Sequence, residues 1–573
     1  MGIEKLPDFD YSLIRTWKTK LTSRELTYCI HDVKIVSECI RRKIADEGSI
    51  AEIPLTKTGY VRRYVRNETL KGANRCFYKA AMKSLTLTSD EYIEAKKAFA
   101  GGFTHAALLH SGKEYQNVTS YDFSSSYPAV LVAEKYPMMK GVLIEKITKQ
   151  TFEEMMEREE CCIFTIELED VQQIFPCESY ISESRCSEIE GWIQYDENGE
   201  PLKDDKGRIK KKLPVVNNGR VWAAKRIVTD ITSIDYNIIK QVYQFKLKRI
   251  AHFYYYEKYY LPSTFVKCIL DFYSKKTELK DVVGKEDEYM FNKENINACF
   301  GMCCTDIVRE LIEYGDDWLP PQKFETDDEY NEWVAEQVDK ENKKRGRFLF
   351  YLWGVFCTAY ARKNLWSGIF ECKYDYLYSD TDSVKIINAE KHKEYFERYN
   401  KEITHKLEAA LDYHKLPHSL LRPKTIKGVE KPLGVWDFDG FYLRFKAIRA
   451  KAYMTYGFDK EKGCNDFKMT VAGLSKKNAI EYLKTKGDPI EQFQNEMYIP
   501  ATYVHDGKVK SATGKLTHTY IDDAISCKVT DFNGVEAVIA ERSFVHLENA
   551  DYHLSITRAY QDFLTGVRAN EYV

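Results

Sequence analysis

Apolar and polar positions change period several times along the chain, and each change predicts an element. Residues 376–387, YLYSDTDSVKII, form two alternating apolar runs around a tight polar turn, the two-residue period of a β-hairpin. Residues 118–128, VTSYDFSSSYP, read as a strand that meets three serines and then an apolar helical stretch over 129–135. Three- and four-residue apolar spacing predicts helix over 231–249, 261–304 and 475–484. Short alternating runs over 519–529 and 535–544 predict a small β-rich tail. Two charged stretches interrupt this order. Residues 195–213 carry Asp-Glu-Asn-Gly and Asp-Asp-Lys-Gly turns and predict a solvated hairpin, and residues 316–347 are rich in Asp, Glu and Lys. No internal repeat is visible, so the expectation is an α+β architecture with a helical middle.

Composition narrows the classes. With 573 residues, 44% of them hydrophobic and 14% aromatic, the chain is too long for one core and apolar enough for two to four subdomains. Its 85 Lys+Arg and 87 Asp+Glu leave a net charge of -2, so any basic groove for nucleic acid must be local. No apolar stretch nears the roughly 20 residues that cross a bilayer. The N-terminus has no basic-then-apolar leader, and Leu6 stands where myristoylation needs Ser or Thr. The expectation is a soluble cytoplasmic chain with no membrane partner. Fifteen cysteines include no C-x-x-C pair, and Cys299, Cys303 and Cys304 fall in predicted helix without zinc spacing, which reads as reduced thiols.

Three elements carry candidate chemistry. Asp380 and Asp382 sit at the hairpin tip, where two carboxylates two residues apart suit Mg²⁺ with water oxygens, although an ordinary aspartate-rich turn has the same pattern. Asp122 ends the 118–123 strand beside the carbonyl of Phe123, placed to face such a tip, while Ser124, Ser125 and Ser126 are candidate helix caps. Lys293, Asn297 and Phe300 share one helical face, a row that suits a triphosphate, a sugar and a base. Lys276 and Lys280, one turn apart, could extend its positive charge or be merely solvated. RRYVR, with Arg62 and Arg63 between Tyr60 and Tyr64, reads either as a single-strand binding surface or as a solvated basic loop. KGRIKKK, 206–212, is a further basic patch, and the aromatic run at 253–260 reads as packing.

Taken together, DFSSSYP (122–128), KENINACFG (293–301) and YSDTDS (378–383) resemble motifs A, B and C of family B DNA polymerases. FAGGFTH (99–105), LGVW (433–436), KAY (451–453) and VAGLSKK (471–477) are similar to motifs of its protein-primed branch, known from phages and linear plasmids. The resemblance implies a right-hand fold with an antiparallel-sheet palm, helical fingers, a small β-rich thumb and two insertions. By that resemblance the segments are 1–48, an exonuclease remnant; 49–90, a linker contacting template; and 91–140, palm. Then follow 141–261, the priming-protein insertion; 262–301, fingers; 302–350, the processivity insertion; 351–470, palm; and 471–573, thumb and C-terminal region. YCIHD (28–32) is similar to the third exonuclease motif, so Tyr28 and Asp32 are expected to be vestigial and no proofreading is expected from this chain alone. Departures are Phe300 where the family often has Tyr, Ala298 for Ser, and Ser126 for Leu.

The implied activity is DNA-directed nucleotidyl transfer to a primer 3′-hydroxyl, with dNTPs and primer-template DNA as ligands. Asp122, Asp382 and the Phe123 carbonyl would hold two Mg²⁺ ions, for which Mn²⁺ could substitute, with Asp380 nearby. Residues 123–127, Lys276, Lys280, Lys293, Asn297 and Phe300 would bind the nucleotide, Tyr127 excluding a 2′-hydroxyl. Gly101, Gly102, Thr381, Lys451, Tyr453, Arg62 and Arg63 would contact DNA. The resemblance also implies a terminal priming protein and a separate exonuclease polypeptide as partners, with the host bacterial cytoplasm as the setting if the gene is a phage's. Two rivals stay open. One is a reverse transcriptase or RNA polymerase, which DTDS and the Tyr127 pattern disfavour; the other is a non-catalytic DNA-binding subunit or obligate half of a split polymerase.

Overall fold

The computed structural model describes residues 20–309, 324 and 326–568, together with 6, 9, 10 and 13, except for 73, 198–199, 461, 522–525, 531–535 and 541–543. Contacts divide the chain into two units: 54–110, 118–441 and 557–573 in the larger, and 1–53, 111–117 and 442–556 in the smaller.

In the larger unit the sheet runs in the order Thr104–Ala106, Tyr376–Asp380, Ser383–Ile386, Glu114–Phe123 and Trp436–Arg449, the last two entering it from Val118 and up to Phe441. The predicted hairpin is present, with Tyr376 opposite Ile386 and Asp380 opposite Ser383. Tyr376, Leu377 and Tyr378 point alternately to the two faces and are all fully buried, so this strand is covered on both sides. Behind the sheet runs the helix Tyr351–Cys372, buried all round as far as Arg362 and half-exposed along Lys363, Asn364, Ser367 and Glu371, with Trp353 and Trp366 at 0% exposure. It packs on the short helix Ser126–Ala133 and on Glu286–Cys303. The helical stretch expected over 261–304 is two helices, Ser263–Glu278 and Glu286–Cys303, broken near Asp281 and Gly284, both at positive φ; Lys57–Thr69 packs on both.

The segment 141–261 contains a six-stranded sheet ordered Val142–Ile144, Tyr243–Tyr256, Cys161–Gln173, Arg220–Thr232 and Cys186–Glu190, with Val215–Asn217 paired to Arg220–Thr232. Here the expected helix over 231–249 is corrected. Only Ser233–Val242 is helical, started by a capping box of Thr232 and Asp235, and a strand follows from Tyr243. The reason lies in the period: Tyr243, Phe245 and Leu247 alternate with Gln244, Lys246 and Lys248, which suits a sheet paired to Cys161–Gln173. The aromatic run packs, with Phe253 and Tyr256 buried, and the 195–213 stretch folds back through Tyr195 opposite Pro201 and Lys203 opposite Ile209. In the acidic stretch, Thr326 caps a helix Asp327–Lys343 that buries Val334 and Val338; residues 310–323 and 325 lie outside the described residues.

In the smaller unit Thr22 and Glu25 form the capping box of a helix Ser23–Glu47. Ala452–Asp459 pairs with Trp436–Arg449 from Arg444 onward, and with Cys464–Val471. The β-rich tail is made of short antiparallel pairs, Leu516–Ile521 with Phe544–Asn549 and Ser526–Thr530 with Glu536–Ala540, shorter than the runs read from sequence. The C-terminal helix Arg558–Arg568 belongs to the larger unit, where Phe563 meets Trp222 edge-on.

Candidate active site

The larger unit's sheet brings together the segments that carry the carboxylates. Ser383 pairs with Asp122 across neighbouring strands, and the amide of Phe123 donates to the carbonyl of Asp382 at 2.9 Å. The tip itself is tight: Thr381 has φ 61, and the Asp382 amide reaches the Asp380 carbonyl at 2.6 Å. The Thr381 amide donates to the carbonyl of Phe103 at 2.8 Å, and a side chain on Gly102 would start 2.6 Å from Thr381 Cγ2. Gly102 is therefore needed for close approach. Gly101 is held from behind, its carbonyl accepting from Arg362 at 3.1 Å, while Arg362 pairs with Asp235 at 2.7 Å in a buried ion pair.

On the other side, LGVW closes against the serines. The Ser124 amide donates to Val435 and the Gly434 amide donates back to Ser124, at 2.9 and 2.8 Å. Trp436 stacks on Phe123 with ring centroids 3.6 Å apart. The serines do not cap the following helix through their side chains. Ser125 is left-handed at φ 64 and its hydroxyl accepts from Lys276 Nζ at 3.0 Å, while Ser126 is buried. Capping is displaced by a contact to a distant lysine that local sequence could not reveal.

Charge in the site is polarised. Burial, then the neighbouring Asp382 and Asp439, push the Asp122 carboxyl up to about 7, against Lys385 and the Phe123 amide; Asp122 Oδ1 is buried without a hydrogen-bond partner. Burial and the nearby Lys293 and Lys280 push Lys276 down to about 8. An acidic pair thus lies beside a lysine cluster. Lys293 and Asn297 are exposed on their helix, whereas Phe300 is half-buried and stacks on Tyr127 with centroids 4.1 Å apart. Burial raises the Tyr127 phenol.

A hard divalent cation fits this donor set. Among the described residues no three carboxylate, imidazole or thiol groups converge as a closed cage, and Asp380 Oδ1 accepts from Thr104 at 3.0 Å and from Thr381 at 3.3 Å. What faces a cation is the unsatisfied Oδ1 of Asp122 with the Asp382 charge beside it, a pair that would leave coordination positions for water and substrate oxygens.

The other expected residues are spread more widely. Arg62 and Arg63 lie on the helix Lys57–Thr69, not on a loop; Arg62 donates to Thr305 at 2.7 Å and Arg63 sits over the Tyr60 ring. Lys451, at φ 54, and Tyr453, near Phe445, belong to the smaller unit, as do Tyr28, buried and stacked on Phe9, and Asp32 on the same helix. Sequence reasoning missed Lys385, 4% exposed among Asp439, Asp380, Asp122 and Asp382, and Asp439, which accepts from Ser120 at 3.1 Å. The only signal for Lys385 was its place in the hairpin's alternation, opposite in facing to Val384 and Ile386.

No family model matches the chain, and no curated protein does. Solved structures do match. Phi29 DNA polymerase complexed with primer-template DNA is 16% identical, with a TM-score of 0.54 over 89% of this chain and 75% of that one. The same polymerase complexed with primer-template DNA and incoming nucleotide substrates is 17% identical, with a TM-score of 0.51 over 88% and 74%. At that identity the likeness is one of architecture: over most of its length, this chain has a fold similar to that of a DNA polymerase.

Proposed function

We propose that the chain is a template-directed DNA polymerase that adds dNTPs to a primer 3′-hydroxyl. The observation that carries this is the meeting of three distant segments: Asp122 beside the Asp380–Asp382 tip, with Lys276 reaching Ser125 from the lysine-bearing helices. Asp122 and Asp382, with the Phe123 carbonyl, would hold two Mg²⁺ or Mn²⁺ ions, and Asp380 keeps the tip in shape through Thr104. When bound, such ions lower the pKa of the attacking hydroxyl and neutralise the leaving pyrophosphate. Lys276, Lys280 and Lys293 balance phosphate charge in the transition state. Asn297 orients the sugar, and the Tyr127–Phe300 stack forms the wall that places the base and excludes a 2′-hydroxyl. Ser124 acts through its position, since Val435 takes its amide; Ser125 fixes Lys276, and Ser126 sits buried under the helix start.

Gly101, Gly102, Thr381, Arg62, Arg63, Lys451 and Tyr453 are assigned to primer-template contact. Tyr28 and Asp32 are assigned no exonuclease step, Tyr28 being packed on Phe9. Initiation on a terminal priming protein, strand displacement and an exonuclease partner rest on the sequence resemblance alone. The test is extension of an end-labelled primer on a DNA template with Mg²⁺, beside Asp382→Ala. Extension by the parent and not the variant supports the reading. No extension by a folded parent that binds the template favours the non-catalytic or split-enzyme alternative.

A further inference from the structure

In the larger unit, Arg66, Lys71, Arg75, Lys79 and Arg345 line a groove of about 650 Å³ in which Glu68 is the one carboxylate. The helix Lys57–Thr69 buries Val61, Val65 and Thr69, which leaves Arg66 outward. Gly72, at φ 60, turns the chain into Asn74–Ser84, which buries Tyr78 and Met82. Arg75 and Lys79, four apart, therefore share the outer face. The third wall is clamped in place. The Tyr78 hydroxyl donates to the Phe348 carbonyl at 2.7 Å, and Arg347, 9% exposed, donates to the carbonyls of Leu85 and Met82. This brings Arg345 to the same groove.

We propose that this groove is a second nucleic-acid site, one that takes the sugar-phosphate backbone of an unpaired strand. By contrast, Arg226 alone meets Glu167, Glu188 and Glu190. Here Arg66, Arg75, Lys79 and Arg345 have no ion-pair partner among the described residues, and only Lys71 approaches a carboxylate, Glu68 at 3.6 Å. Like charges held together on a clamped frame repel, and an anionic polymer with regularly spaced phosphates relieves that repulsion. No aromatic side chain lines the groove among the described residues, so it reads phosphate and not bases. The site rests on the polymerase reading only for the source of the strand, which is the template overhang or the displaced strand.

The test titrates a labelled oligothymidylate of about 20 nucleotides by anisotropy at rising salt, with the parent, a variant carrying Arg66→Ser, Arg75→Ser and Arg345→Ser, and a variant with the same three changed to Lys. Losing three contacts at roughly 0.7 each flattens the slope of log K against log salt by about 2, and the Lys variant keeps it. Equal slopes for parent and Ser variant overturn the proposal. Extension then separates the sources. A defect confined to long template overhangs assigns the groove to template, and one confined to flap-bearing substrates assigns it to the displaced strand. Absence of extension by the parent would count against the polymerase reading alone, because the titration still reads the groove.

Discussion

Phe123 gives its amide to the carbonyl of Asp382, so a single backbone hydrogen bond fixes the spacing between the strand end that carries Asp122 and the turn that carries Asp382. Neither residue can shift without breaking the strand pairing in which Ser383 faces Asp122.

That spacing places like charges together at a cost to the fold. Asp122→Asn is expected to abolish extension, by about 10³-fold or more if the metal supplies several kcal/mol. The same change removes the repulsion from Asp382 and is expected to add about 1 kcal/mol of stability. Calorimetry with Mg²⁺ and with chelator checks the cause: Mg²⁺ should raise the parent's melting temperature more than the variant's. An equal rise in both would mean that Asp122 does not face the cation.

Gly102 tolerates no side chain against Thr381. Gly102→Ala is expected to move the hairpin tip and cut extension at least tenfold, about 1.4 kcal/mol of transition-state stabilisation, with little change in melting temperature. Thr381→Ser removes Cγ2 and should partly restore Gly102→Ala. If the double variant is as poor as the single, the clash is not the cause.

Lys276 carries its charge only below about pH 8, because burial and neighbouring lysines disfavour the ammonium. If it balances the triphosphate, KM for dNTP should rise as pH climbs through that value, while kcat changes less. Lys276→Arg, charged throughout, should flatten the profile. A parallel rise in both proteins would remove Lys276 from the nucleotide site.

Asp230 and Glu94 form a buried carboxyl pair in the larger unit, and burial and Glu94 push the Asp230 carboxyl up to about 7. Its unfolded value is near 4, so the folded protein holds an extra proton across about pH 4 to 7 and loses stability as pH rises through that window. Asp230→Asn keeps an acceptor for Thr165 and carries no charge. It should match the parent near pH 4 and exceed it by about 1–3 kcal/mol at pH 8, read by urea unfolding. Parallel pH profiles would refute the shared proton.

The pieces whose chemistry is local can be read from the residues alone. The hairpin at 376–387 was legible because alternation and turn residues act within a dozen positions, and the Lys293, Asn297 and Phe300 face because helical period is intrinsic to the segment. The strand starting at Tyr243 was also legible in its alternation, but an apolar run continuing a true helix hid the change of period. Tertiary structure alone decided that Lys276 meets Ser125, that Phe300 stacks on Tyr127 and not on open space, and that Lys385 and Asp439 join the carboxylates. It also brings Arg62 to Thr305, and Arg66 and Arg345, 279 residues apart in sequence, to one groove. Pairing and burial set these relationships, and both depend on which distant segments share a core, information that no local window of residues contains.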